Sequence, residues 1–228
     1  MPDNESQQIR PIQQLSGSAL TVTPLAYVRY VNLARQTYLQ SEGLNLSAEY
    51  KLDADLSISV FGETEYQRFY GIDVSPDAFN RTGWQYRIGA GLVYRLAPDM
   101  QLSFDVSHQD KQAYVGYYAY SSDEAALGHT WLFPGGQFLL TTVSVARDVY
   151  DASDPAISPN LRSDWRMRGR ITFGQPVADL FGVENPAWWL RDLALTISLE
   201  TIRSDSNISN YTYTNHRAGF ALSKRFEF

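Results

Sequence analysis

The chain contains no cysteine, which excludes disulfides, thiol nucleophiles and cysteine-held metals and leaves the redox compartment open. It also lacks any run approaching the roughly 18 uninterrupted apolar residues that a membrane-spanning helix requires. That excludes a helical membrane protein but not a membrane barrel, whose strands expose apolar groups only at alternate positions. The mean hydropathy of −0.31 fits either a soluble protein or such a barrel. Positive charge is in the minority, with a net −6 over 228 residues, and this speaks against a general nucleic-acid or anionic-surface binder. The opening MPDNESQQIRPIQQLSGS has no basic start followed by an apolar stretch, so no secretory signal is visible. The chain reads as a processed form or as the end of a longer protein.

What the chain has in plenty is aromatic side chains, 14% of all residues with 15 tyrosines, and period-two patterning. About ten segments alternate apolar and polar residues over the length of a membrane strand. In Trp84–Leu96, Trp84, Tyr86, Ile88, Ala90, Leu92 and Tyr94 oppose Gln85, Arg87, Gly89, Gly91 and Arg95. In the next segment Leu102, Phe104 and Val106 oppose Ser103, Asp105 and Ser107. Leu193, Leu195, Ile197 and Leu199 oppose Ala194, Thr196, Ser198 and Glu200 further on. The segments around Leu20–Tyr30 and Ala125–Phe133 follow the same pattern less cleanly.

Connections alternate in length. Long ones are expected at 33–43, 69–83, 110–123, 149–162 and 203–211, with short ones at 52–55, 97–99 and 134–136 between them. Only 175–188 is long on the short side, and its ADLFGV suggests a helical turn. Bacterial outer-membrane barrels combine short periplasmic turns with longer outer loops. The expected fold is therefore all-β, an antiparallel up-and-down transmembrane β-barrel of about ten strands. It would occupy residues 19–228 after a flexible periplasmic segment at 1–18, with both termini periplasmic and the outer-membrane lipids around it. A soluble β-sandwich or lipocalin-like barrel also alternates, but its strands are commonly about 5–6 residues long, against about 9–11 for a tilted membrane strand. Aromatic residues at strand ends, such as Trp84, Trp131, Trp165 and Phe173, suit an interfacial girdle.

Energy assigns the faces. A charge held against lipid at midplane costs about 2–4 kcal/mol, so the charged rows must point inward. The expected lumen set is Arg87, Arg95, Arg166, Arg168, Arg170, Arg217 and Arg225 with Glu49, Glu63, Glu65, Asp105, Asp148, Glu200 and Glu227. Such a set either fills a narrow barrel with ion pairs or lines a charged conduit, with the three arginines of 166–170 as an anion-favouring stripe. Lys224 falls in the lipid register close enough to a rim for its stem to carry the amine to the interface.

Catalysis has little to stand on. His108, His129 and His216 are the only histidines. His108 near Asp110 resembles part of an acid–histidine pair, yet no serine nucleophile in a recognisable setting accompanies it. The histidines lack metal-ligand spacing and the loop acids lack an EF-hand pattern. Neither a catalytic residue, a metal nor a cofactor is expected.

The chain ends in HRAGFALSKRFEF, whose Phe226-x-Phe228 resembles the terminal signal read by the barrel assembly machinery. The run LALTISLETIRSDSNISNYTYTNHRAGFALSKRF from Leu193 is similar to the closing hairpin of the surface lipoprotein assembly modifiers, with its R-S-x-S-N loop, Y-x-Y and S-K-R-F ending. RLAPDMQLSFDVSHQDKQAY and SPNLRSDWRMRGRITFGQPV resemble that family's Y-R-L-x-P turn and R-x-D strand. In that family a periplasmic tetratricopeptide-repeat domain precedes a larger barrel, and the two help lipoproteins reach the cell surface. The resemblance implies a non-enzymatic outer-membrane barrel that assists translocation or surface display of a protein, with a lipoprotein as its cargo. A small pore, or a structural barrel whose outer loops bind partners, is the alternative.

Overall fold

The computed structural model describes residues 6–11, 15–16, 19–33, 35–182, 187 and 193–224. Two short strands, β1 (Ser6–Pro11) and β2 (Leu15–Ser16), precede ten long ones. These are β3 (Leu20–Leu33), β4 (Gln36–Lys51), β5 (Leu56–Phe69), β6 (Gly83–Ala97), β7 (Met100–Lys111), β8 (Tyr120–Leu132), β9 (Phe138–Tyr150), β10 (Ser163–Pro176), β11 (Leu193–Ser206) and β12 (Tyr213–Lys224). From β3 to β12 every strand pairs antiparallel with the next in sequence, in a single up-and-down sheet. The expected class and the ten long strands are both present. The long strands run from 12 to 16 residues, and no helix among the described residues is long and apolar enough to cross a membrane.

The alternation read in the sequence becomes two faces because successive Cβ atoms on a strand point to opposite sides. One face carries Leu44, Leu46, Val60, Ile88, Leu127, Val143, Phe220 and Leu222, all strongly exposed. The same register pairs Leu46 with Gly62, Gly62 with Ile88, and Leu127 with Val143. The few buried apolar residues, Leu39, Ile72, Ala78, Ala119, Ala146 and Val177, are outnumbered by buried polar ones such as Ser41, Glu65, Gln67, Lys111, Asp148 and Asp164. This inverts a water-soluble core, and an exposed apolar face of such extent calls for a non-aqueous neighbour.

Local chemistry makes the tight ends. At 52–55 the Asp53 carboxylate accepts backbone N–H bonds from Asp55 and Leu56, each at 2.8 Å, an Asx turn. In Pro134–Gly135–Gly136, Gly136 sits at φ +79°, a left-handed conformation glycine adopts without a Cβ clash. Among the described residues of 175–188 there is one helical turn, Val177–Leu180.

The region 33–43, expected as a long loop, is instead a tight reversal with Arg35 at φ 64° followed at once by β4. The strand was hidden because its partners there are polar: the Gln36 amide donates to Asp73, its carbonyl accepts from the Asp73 N–H, and the Tyr38 hydroxyl accepts from Arg81. Segment 1–18, expected as a flexible lead-in, contributes β1 and β2, which pair with β3. β1 takes the edge of β3 that a closed barrel would offer to β12. Among the described residues β12 pairs only with β11, so the sheet is open at this seam.

Candidate functional site

The inward face is the candidate site. Sheet curvature brings inward side chains on alternate strands together, and several bonds skip a strand. The Tyr27 hydroxyl on β3 donates to Glu63 on β5 at 2.5 Å, and Arg29 Nη2 meets Glu65 Oε1 at 2.5 Å. Both cross β4 over small residues, Gly43 opposite Tyr27 and Ser41 opposite Arg29. A Cβ at Gly43 would overlap the Tyr27 ring. Arg87 on β6 reaches Glu124 on β8 at 3.1 Å, steadied on β7 by the Ser107 hydroxyl at 3.0 Å. On the far side Arg166 Nη2 donates to Asp148 at 3.0 Å, Arg168 pairs with Glu200, and Arg217 lies 4.0 Å from the same carboxylate.

Two of these acids are deeply placed, the side chains of Glu65 and Asp148 being 3% and 4% exposed. Buried charge is tolerated where it is paired and hydrogen-bonded, and removing one partner strands the other. Glu65 also accepts from the Gln67 amide at 2.8 Å. Between the paired groups remains a polar cavity of about 710 Å³, bordered by Arg29, Glu65, Arg87, Glu124, Arg166 and Arg168.

Of the residues singled out in the sequence, Arg87, Arg166, Arg168, Arg217, Glu63, Glu65, Asp148 and Glu200 enter this network. Arg95, Arg170, Glu49 and Asp105 share the inward register. They make no ion pair among the described residues. Arg225, Glu227 and the terminal Phe226 and Phe228 lie outside the described residues. Arg29 and Glu124 belong to the network although they stood outside the expected set. Their polar rows were visible, but both sit on the less regular segments. The small residues Gly43, Ser41 and Ser107 opposite or beside them were the sign of side chains crossing a strand.

His108 binds a carboxylate, but through Nδ1 to Asp123 Oδ1 at 2.7 Å across the β7–β8 pairing rather than to Asp110. The pair is open to the surroundings, at 50% and 80% exposure, in the register of Phe104 and Val106 and away from the cavity. Among the described residues no group of three or more metal-ligating side chains converges.

Toward the longer connections the interior becomes aromatic. Arg162, in the 151–162 connection, donates through Nε to Asp164 at 2.8 Å and lies over the Tyr150 and Tyr211 rings at 4.3 and 3.6 Å. Burial is the largest influence on this guanidinium and pulls it toward neutrality. The Asp164 hydrogen bond and the fields of Tyr150, Asp164 and Tyr211 outweigh it, so the pKa is raised and the charge is permanent.

Comparison with protein families matches residues 16–226 to the one described as Surface lipoprotein assembly modifier. No match is found among curated proteins.

Proposed function

Because this chain belongs to the surface lipoprotein assembly modifier family, we propose that it is a non-enzymatic outer-membrane barrel that assists translocation or surface display of a lipoprotein. The observation that carries the reading is the family match over residues 16–226, joined to a sheet with an apolar outer face and a charged inner one. The apolar band meets the lipids, with Trp84 stacked on Tyr86 at one rim and Trp131 against Phe133 at the other. The longer connections face outward, and β12 ends at Lys224 on the periplasmic side with the short turns, from which the barrel assembly machinery would read the Phe226-x-Phe228 signal, whereas β1 begins at Ser6 opposite Tyr30, at the end of β3 beside the longer connections. The interior handles an extended polar segment of cargo by exchanging hydrogen bonds with its paired charges. Deleting the gene should reduce protease-accessible lipoprotein at the cell surface while total lipoprotein stays constant, and an unchanged surface fraction sinks the proposal.

A second reading, a small pore, draws on the cavity of about 710 Å³ between the ion pairs. Planar-bilayer recording decides it: steady unitary conductance from the purified chain favours the pore, and electrical silence favours the filled interior.

A further inference from the structure

Beyond the interior network, a second chamber of about 510 Å³ lies under the longer connections. Its charged lining consists of Arg81, Lys111, Arg162 and Asp154, three cations against one carboxylate in a chain whose net charge is −6. The contrast with the cavity below is chemical. There the arginines that line it are matched to carboxylates, whereas here Arg81 and Lys111 make no ion pair among the described residues, Lys111 feeling only at a distance the Glu65 carboxylate that Arg29 already holds.

Lys111 is buried to 5% exposure and forms no ion pair among the described residues. Its ammonium donates one long bond of 3.5 Å to the Gly83 carbonyl and lies 5.6 Å from the Phe69 ring centroid. A buried ammonium left so thinly partnered is costly unless something completes its shell. Arg81 gives the second, independent sign. Its Nη1 donates to the Tyr38 hydroxyl at 2.9 Å and its guanidinium lies over Tyr118 at 5.0 Å, while its buried Nε has no partner. A guanidinium with a free N–H and an ammonium without an ion pair, bordering one chamber, match the several acceptor oxygens of a phosphate.

Most of the remaining wall is tyrosine, beside Gln67, Phe69, Gln85 and Ile157. Tyr117, Tyr118, Tyr120, Tyr150 and Tyr211 border the space, presenting apolar ring faces with polar tips, suited to a ring that carries hydroxyls. A volume of about 510 Å³ exceeds what an inorganic anion fills and lies in the usual range for small organic ligands.

We propose that this chamber binds a phosphorylated sugar, with Lys111 and Arg81 on the phosphate and the tyrosines against the sugar ring. A soluble sugar phosphate and the headgroup of a phosphorylated glycolipid share this chemistry. The inference uses the functional reading above only for the side of the membrane from which the ligand arrives.

The full chain, refolded in detergent micelles, is titrated calorimetrically with glucose 6-phosphate, glucose and inorganic phosphate. Glucose 6-phosphate should bind saturably and at least tenfold tighter than glucose, compete with inorganic phosphate, and weaken as salt screens the charges. Lys111→Met and Arg81→Gln should each weaken it at least tenfold, and Lys111→Arg should retain most of it. Mixed micelles carrying a phosphorylated glycolipid identify the source, since competition at lower concentration than the soluble sugar points to the headgroup. Absence of saturable binding, equal binding of glucose, or unchanged affinity in both variants overturns the proposal. Should a variant fail to fold by circular dichroism, salt dependence and phosphate competition on the unaltered chain still decide. Binding in micelles is independent of lipoprotein display in cells, so this inference and the functional reading fail separately.

Discussion

Arg87 stands directly opposite Glu63 in the β5–β6 pairing, yet its guanidinium bonds Glu124 two strands away, and Glu63 accepts from Tyr27 instead. Arg170 likewise faces Glu200 across β10–β11, while Glu200 is held by Arg168 and approached by Arg217. On a concave face, long side chains reach past their nearest neighbours, and a bond that skips a strand, such as Arg87–Glu124 across β7, ties three strands together rather than two.

The Arg29–Glu65 pair should be the most sensitive of these bonds. Glu65 is 3% exposed, so Arg29→Met leaves a stranded carboxylate and should destabilise the fold by about 3–5 kcal/mol. Adding Glu65→Leu should recover most of that loss. Urea titration of the refolded chain measures both, and a double variant no more stable than the single one contradicts the account.

Gly43→Val should dislodge Tyr27, whose ring occupies the space a Cβ would need, and break the Tyr27–Glu63 bond. Overpacking of this kind costs about 1–3 kcal/mol. Thermal unfolding should show the loss in Gly43→Val but not in Gly62→Ala, where an added Cβ meets nothing. Equal shifts in the two variants would argue against the crossing role of Gly43.

If the outer face meets lipid, Leu127→Arg and Val143→Arg, both at well-exposed positions of the apolar band, should each cost about 2–4 kcal/mol on folding into vesicles. Arginine at Thr130, in the inward register of the same strand as Leu127, should cost much less. A penalty that ignores the face would refute the assignment of lipid and lumen sides.

The seam can be read by disulfide trapping, without background, since the chain has no cysteine. The β1–β3 register sets Gln8 against Val28, so Gln8→Cys with Val28→Cys should cross-link on mild oxidation. Failure of that pair, with a cross-link from Val28→Cys to a cysteine in β12, would mean that β12 replaces β1 at this edge in the membrane.

Much of the wall was legible in the sequence. The outward row Leu102, Phe104, Val106 and the inward row Ser103, Asp105, Ser107 follow from the alternation of Cβ direction, which needs no partner to be known. The strand at Gln36–Gly43 was not legible, because its side chains bond a polar connection and show no apolar rhythm. Nor was the chamber around Lys111 and Arg81, whose residues come from separate strands and connections and meet only when the connections fold over the sheet.

The sequence by itself determined the class of fold, the direction each strand faces and which residues were available to the interior, since all three rest on local periodicity and on the cost of placing charge against lipid. Tertiary structure alone decided which charge meets which, that β1 rather than β12 lies on the edge of β3, and that Lys111 and Arg81 share one chamber. Those outcomes depend on sheet curvature and on contacts between residues far apart in the chain, where nearness in space is set by packing rather than by sequence spacing.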